Sequence, residues 1–263
     1  MRVWAQSAAA AGLVIVATGA LGCRNPLGKQ YEYEEQLYLG VNGEAQVVID
    51  TSIPALVALR NVPIDPSSRV QIDRDQVRRL FSVSGCSNVR VGQSWIRRGR
   101  RFVQIRVTAA NVKDLKACGP LSWSSYTFER EGNVIHYKQD VGAAGTGSPG
   151  AVNWDGTELV AFKLHLPSKI IFQNVKRIED GSNGTTERGN ILTWEQRLTD
   201  RRAGAPVSME VRMDSQSILY RTLWLFAGAF VAAVLVLMLL IWLTMRRAKR
   251  GQFGQKSNSG SVL

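Results

Sequence analysis

Two apolar segments lie near the two ends of the chain, and the part between them alternates apolar with polar positions. The second segment, residues 223–245, is 23 residues long and carries no charged side chain. As a helix it would be about 35 Å long, which is enough to cross a bilayer. Several basic residues follow it, and the positive-inside rule places such a flank in the cytoplasm. The pattern predicts a transmembrane helix over 222–245 and a basic cytoplasmic tail over 246–263.

The first apolar segment, residues 8–21, is shorter and follows Arg2, an arrangement typical of a secretory signal peptide. We therefore expect a signal peptide over 1–22 and an extracytoplasmic domain over 23–221. Cys23 follows Ala20-Leu21-Gly22, which resembles the lipobox of bacterial lipoproteins, where the cysteine is lipidated. The usual lipobox has leucine at the position of Ala20. Ordinary signal-peptidase cleavage after Gly22 is the alternative to lipidation of Cys23, and the sequence leaves both open.

Short segments of alternating hydrophobicity fill the domain and predict β-strands. Asn42-Gly43 separates two of them, as is typical of a hairpin turn. Ser52 is expected to cap a short helix, and Asp73 or Asp75 a second one. The fold class we expect is α+β, with a mainly antiparallel β-sheet ectodomain, a few short helices and one C-terminal transmembrane helix. The expected strands span 31–41, 44–53, 89–96, 101–107, 123–130, 134–139, 158–166, 169–172, 191–198 and 207–213.

Residues 142–156 are rich in Gly, Ala, Ser and Pro and predict a long loop between two lobes of one domain. A domain boundary is the alternative. The few strands that follow would then leave much sheet edge exposed, so we expect them to complete the sheet of the first lobe. Only seven residues, 214–220, separate the last strand from the apolar segment. The domain is therefore expected to lie close to the membrane surface.

Cys86 and Cys118 both fall in the extracytoplasmic domain, where disulfides persist. A bond between them would stabilise the domain by about 3–4 kcal/mol through lost loop entropy. Two free buried thiols are the alternative. The pair brackets the arginine-rich turn described next, so a bond would fix the base of that hairpin.

Charge is distributed unevenly along the chain. The net charge is +12, and residues 76–113 contain nine Lys or Arg but no Asp or Glu. Arginine suits phosphates and carboxylates, so we expect this region to meet membrane lipids, such as an anionic lipid or glycolipid, or an acidic envelope protein. A solvated hairpin that prevents edge aggregation is the alternative. Nucleic acid is not expected outside the cytoplasm. The candidate contact residues are Arg97, Arg98, Arg100, Arg101, Trp95 and Phe102.

Enzyme signatures are absent from the sequence. It has no Gly-x-Ser-x-Gly, no P-loop and no His-Glu-x-x-His. His136 and His165 fall inside expected strands, where a single histidine is more often structural than catalytic. We therefore expect no catalytic residues, no metal site and no cofactor, and we do not expect an enzyme.

A family resemblance adds to this picture. The order of signal with lipobox-like cysteine, β-rich domain and C-terminal helix resembles the LppM-type lipoproteins of mycobacteria and relatives. The local likeness lies in LHLPSK at 164–169, ERGNILTWE at 187–195 and SQSILY at 215–220. The resemblance implies envelope lipid or glycolipid handling and a fold similar to lipid-transfer domains. It names no binding residues.

We therefore expect a membrane-anchored extracytoplasmic lipoprotein that binds a lipid or envelope component without catalysis. A scaffold or assembly partner in a membrane protein complex is the alternative. Lipid binding predicts an apolar cavity between sheet and helices. Its expected lining is Ile53, Leu56, Leu59, Leu80 and Phe81.

Overall fold

A computed structural model describes residues 29–82, 86–184, 186–187 and 189–255, without the side chains of Ser87, Arg221 and 247–255. The expected signal peptide and Cys23 lie outside these residues. The strands are β1 (Tyr31–Leu39), β2 (Ala45–Ser52), β3 (Ser87–Val91), β4 (Trp95–Arg97), β5 (Arg100–Ala109), β6 (Ser124–Glu131), β7 (Val134–Val141), β8 (Leu159–His165), β9 (Ser168–Gln173), β10 (Ile191–Arg197) and β11 (Val207–Ser217). The α-helices are α1 (Ile53–Arg60), α2 (Arg74–Phe81), α3 (Leu198–Arg202) and α4 (Ile218–Gln255), and 3₁₀ turns span Val112–Ala117 and Gly119–Leu121.

The strands form two sheets. The first has the order β10-β8-β1-β2-β5-β3, with β4 also paired to β5, and the second has the order β6-β7-β11-β9. All the strand pairs are antiparallel except β1 with β8, which run parallel. The predicted α+β class with a mainly antiparallel sheet is therefore confirmed.

The local signals in the sequence produce the expected turns and helix starts. Gly43, in the β1–β2 turn, has a φ of 87°, which favours glycine. The hydroxyl of Ser52 accepts a hydrogen bond from the Ala55 N–H at 3.2 Å and caps α1. The carboxylate of Asp73 accepts from the N–H groups of Asp75 and Gln76 and caps α2. These three predictions are confirmed.

One hydrophobic cluster joins the two sheets. Ile49 and Ile105 contribute to it from the first sheet, and Tyr137 and Val211 from the second. Along β11 the buried positions alternate with more exposed ones, as the sequence predicts for a strand with one face in the core.

The glycine-rich segment 142–156 contains no helix or strand and packs on α1. The N–H of Gly145 donates to the Leu59 carbonyl at 2.8 Å. At Gly147 a β-carbon would lie 2.3 Å from the Val57 carbonyl oxygen, so the backbones meet too closely for a side chain. Strands from both sides of this segment take part in both sheets.

The last strand passes directly into the long helix. β11 extends through Ser217 and α4 begins at Ile218, so the expected stalk over 214–220 is replaced by strand and helix. Within α4, Ile218–Arg246 is long and apolar enough to cross a membrane, and the apolar window has none of its surface buried against the domain. The domain is thus joined to a candidate membrane span without an intervening linker.

The strand directions define two ends of the domain. We call the end where β11 passes into α4 the helix end and the opposite one the far end. β8 stops at His165, just before β9, whose first residue pairs with Ser217 at the helix end. β1 is parallel to β8, so it also runs from the far end to the helix end. β2 is antiparallel to β1 and runs back to the far end. β5 is antiparallel to β2, so it begins at the far end and finishes at the helix end.

Candidate functional site

Cys86 and Cys118 form a disulfide, with their Cα atoms 5.7 Å apart. This separation is within the usual range for such a bond. The bond joins the residue before β3 to the end of the first 3₁₀ turn. Ser87 pairs with Thr108 near the helix end of β5, so the bond holds the base of the arginine-rich hairpin. The predicted pairing is confirmed.

The arginine-rich turn is a tight two-residue connection between β4 and β5. Arg98 has a φ of 49° and Gly99 a φ of 74°, a pattern typical of hairpin turns that follow the sheet twist. Trp95 stacks on Phe102 with ring centroids 5.8 Å apart. The guanidinium of Arg97 lies 4.0 Å from the Phe102 ring and donates to the Tyr31 carbonyl.

Two further arginines of this turn also have internal partners. The side chain of Arg100 is only 6% exposed and lies 2.8 Å from the carboxylate of Glu32 and 3.7 Å from that of Glu158. Arg101 donates to the Ser68 carbonyl at 2.7 Å. The fourth arginine of the turn, Arg98, is exposed and forms no hydrogen bond or ion pair within the described part of the chain. The four arginines do not form one continuous anion-binding surface.

The turn also lies away from α4. β5 has ten residues and begins at the far end, so Arg100 is about 30 Å along the strand from the helix end. Phe102 is 1% exposed and belongs to the interior, whereas Trp95 and Ile96 are 38% and 61% exposed. The turn therefore lies at the end of the domain opposite α4, and its contact with headgroups or with an envelope protein stays a prediction.

The expected lining of a lipid cavity forms part of the solid core. Ile53, Leu56, Leu59 and Phe81 are at most 1% exposed and belong to the hydrophobic cluster. Leu80 packs against the same cluster from a partly exposed position. These side chains are in contact with one another and with the sheet rather than arranged around an opening.

A mostly apolar cleft of about 330 Å³ lies at the helix end. The rings of Tyr38 and His165 stack there with centroids 4.0 Å apart, and His165 also contacts the Gln36 side chain at 3.1 Å. Burial and the charge of Lys163 lower the pKa of His165, which favours the neutral imidazole. The cleft is lined by Tyr38, Leu39, Gly40, Glu44, Gln46, His165, Leu166 and Pro167.

A larger, polar cleft of about 610 Å³ lies over the outer face of the first sheet. Lys29 bridges Glu179 and Glu195 across it at 2.8 and 2.7 Å. The Tyr31 hydroxyl donates to the same Glu195 carboxylate. Charges in this cleft thus neutralise each other, and a smaller fraction of its lining is apolar than in the helix-end cleft.

A buried polar cluster lies between the sheets at the far end. The carboxylate of Glu35, 3% exposed, pairs with the guanidinium of Arg60, 1% exposed. It also accepts hydrogen bonds from the Tyr33 hydroxyl at 2.7 Å and the Gln139 amide at 3.3 Å. Burial raises the pKa of the Tyr33 hydroxyl well above its usual value, so it remains a donor.

Arg201 completes this cluster from α3. It is fully buried, donates to the Gly142 carbonyl, and stands with Arg60 over the ring of Trp123. The sequence pattern did not predict this buried cluster. Buried and less buried positions alternate along β1, and Glu35 lies on the same buried face as Tyr33 and Leu37. A charged residue on that face is the signal in the sequence that could have indicated a buried ion pair.

Comparisons with known proteins give a distant likeness. No family model matches the chain, and no curated protein matches it significantly. Among solved structures, the NMR structure of the folded domain of LppM from Mycobacterium tuberculosis is similar at 13% identity and a TM-score of 0.38. The match covers 73% of this chain and 95% of that one. What this chain binds therefore has to be inferred from its own residues.

Proposed function

We propose that this protein is a membrane-anchored, extracytoplasmic module that binds a lipid or another envelope component at the helix-end cleft, without catalysis. The observation that carries this proposal is the position of the cleft. Pro167 lines it, and the carbonyl of the same residue accepts a hydrogen bond from the N–H of Ile218, the first residue of α4. If α4 spans the bilayer, the cleft opens beside the lipid headgroups.

The chemistry of the cleft supports this assignment. Tyr38 is 40% exposed, and an aromatic ring with a polar tip suits a membrane interface. Leu166 and Pro167 supply apolar surface, and Glu44 and Gln46 supply polar groups at the rim. A volume of about 330 Å³ is at the small end for ligand sites, so it suits a headgroup or part of an acyl chain. His165, stacked on Tyr38, has a packing role here.

Site-specific photocrosslinking tests the proposal. A benzophenone amino acid is placed at Tyr38 in the full-length protein, reconstituted in nanodiscs of bacterial lipid. The matched control has the same group at Ile96, which is more exposed but lies at the far end. We expect lipid adducts at position 38 and few at position 96. Equal yields at the two positions, or no adduct at 38, would contradict the proposal.

Native mass spectrometry of the detergent-extracted protein complements that experiment. It measures co-purifying lipid, and the same spectrum tests whether Cys23 is lipidated. Loss of a bound lipid in a Tyr38→Ala variant, with retention in an Ile96→Ala variant, is the expected result.

A scaffold role is the second candidate, and the far end favours it. Trp95 and Ile96 are exposed there beside Arg98, a combination of aromatic, aliphatic and arginine side chains common at protein interfaces. A protein adduct formed in cells by the Ile96 crosslinker, absent from the Tyr38 crosslinker, would support an envelope protein as the partner.

A further inference from the structure

Arg201 carries a buried charge for which the described residues provide no carboxylate partner. Its residue exposure is 0%, and Gly142 supplies a backbone carbonyl to one of its terminal nitrogens. The remaining nitrogens, Nε and Nη1, have no hydrogen-bond partner among the residues that the structure describes. A guanidinium remains protonated in proteins, and a buried charge is normally matched by an opposite one.

Arg60, which lies against the same Trp123 ring as Arg201, carries a charge of the same sign. The guanidinium carbons of Arg60 and Arg201 lie 3.0 and 5.3 Å from the ring centroid of Trp123. Burial and the charge of Arg60 both lower the pKa of Arg201. The carboxylate of Glu35 is already engaged by Arg60, Tyr33 and Gln139. Two cations and one anion leave an excess of one positive charge in this cluster.

Among the described residues, the unpartnered nitrogens around Trp123 are hydrogen-bond donors. They are Nη1 of Arg60, Nε and Nη1 of Arg201 and Nε1 of the indole. A water molecule could accept hydrogen bonds from these nitrogens, but it would leave the excess positive charge of the cluster uncompensated. An anion would accept the same hydrogen bonds and also neutralise that charge. Gly142 and Ala143 beside them are exposed, which places the cluster near the surface.

We propose that a small monovalent anion binds beside Trp123, held by Arg201 and Arg60. The excess of one charge favours a halide or a small carboxylate over a divalent anion such as sulfate. The cluster lies at the far end, because α1 follows the last residue of β2 and α3 follows the last residue of β10. The site is separate from the helix-end cleft and does not depend on the function proposed for it.

Chloride titration of the full-length protein in detergent tests this site. The thermal unfolding midpoint is measured as sodium chloride replaces sodium gluconate at constant ionic strength. We expect a saturable rise in the midpoint, since an anion that binds the folded state stabilises it. Sodium sulfate at the same ionic strength should give no saturable rise. A chloride curve no different from that of sulfate would overturn the proposal.

Two neighbouring arginines of α3 provide a matched pair of variants. Arg201→Met should weaken the apparent chloride affinity at least tenfold, while Arg202→Met, an exposed neighbour, should keep it. Chloride-35 NMR line broadening supplies a readout independent of unfolding. Broadening should appear in the unmodified protein and in Arg202→Met. Its absence from the unmodified protein would mean that the donors are served by water, and the proposal would fail even if Arg201→Met does not fold.

Discussion

The backbone N–H of Ile218 donates a hydrogen bond to the Pro167 carbonyl oxygen across 2.9 Å. This bond ties the first residue of α4 to the turn between β8 and β9. Because β11 reaches Ser217 before α4 begins, the helix continues the sheet without a linker. The helix-end cleft is therefore held at a fixed height relative to the start of α4.

Insertion of Gly-Ser-Gly-Ser between Ser217 and Ile218 should release the domain from the helix. We expect a fluorophore on the domain, observed in nanodiscs, to show lower steady-state anisotropy because the domain then rotates independently. The free energy of unfolding should change by no more than about 1 kcal/mol, since a longer connection adds little closure entropy. The same insertion at Gly132, in the β6–β7 turn, should leave the anisotropy unchanged. An unchanged anisotropy after insertion at Ser217 would contradict the rigid connection.

Arg100→Met should destabilise the domain by roughly 3–5 kcal/mol, because it leaves the buried carboxylate of Glu32 without its cation. Arg98→Met, two residues earlier, should change the free energy of unfolding by less than about 0.5 kcal/mol because Arg98 is exposed. Chemical denaturation of the detergent-extracted protein measures both. Similar losses of unfolding free energy in the two variants would contradict the prediction that the buried Arg100 stabilises the domain and the exposed Arg98 does not.

Gly147→Ala should cost about 1–3 kcal/mol, because the new β-carbon would meet the Val57 carbonyl oxygen at 2.3 Å. Gly92→Ala is the matched control. Its β-carbon would have its nearest neighbour at 3.5 Å, an ordinary contact, so the substitution should be neutral or slightly stabilising. Equal stability of the two variants would argue against close packing of the glycine-rich segment on α1.

His165 should make the domain less stable in mild acid. Its pKa in the folded state is lowered below 6.5, so as the pH falls the unfolded chain takes up the proton first. The stability associated with the neutral imidazole is therefore present above pH 6.5 and is lost as the pH falls toward the folded-state pKa. His165→Gln should flatten this part of the stability curve, measured by denaturation between pH 7.5 and 5.5.

Lys163→Met provides the control for that titration. The charge of Lys163 contributes to the lowered pKa of His165, so its removal should raise that pKa toward the ordinary value. The range of pH between the unfolded-state and folded-state pKa of His165, over which stability falls, should then narrow. If the free energy of unfolding depends on pH in the same way in Lys163→Met and in the unmodified protein, burial alone causes the pKa shift.

Local signals in the sequence predicted local structure well. Asn42-Gly43 and Asp73 act within a few residues of their own position, so the turn and the cap follow from the residue types. Pairing of Cys86 with Cys118 could also be predicted, because these two cysteines remain in the expected extracytoplasmic domain once Cys23 is assigned to the signal. The turn and the cap needed no knowledge of the rest of the chain, whereas the disulfide also depended on the apolar segments at its two ends.

The partners of the buried charged residues are distant in sequence, and the hydrophobic pattern does not predict them. No residue near Arg100 in the chain indicates that Glu32 and Glu158 are its partners. The composition of 142–156 indicated a loop but not its close contact with α1. Arg201 lies in a short, charged helix and is buried because α3 packs against β8, β10 and α1. Which end of the domain carries the arginine turn follows only from the full set of strand directions.

The parallel pairing of β1 with β8 also governs when the domain can fold. Tyr31 pairs with Leu159, so β1 cannot pair with β8 until more than a hundred further residues have been made. β11 lies between β7 and β9 and is the last strand before α4. Such non-local pairing is slow to form. The second sheet is therefore complete only once the chain has been made as far as the start of α4, and a chain cut before Val207 would leave both β7 and β9 with open edges.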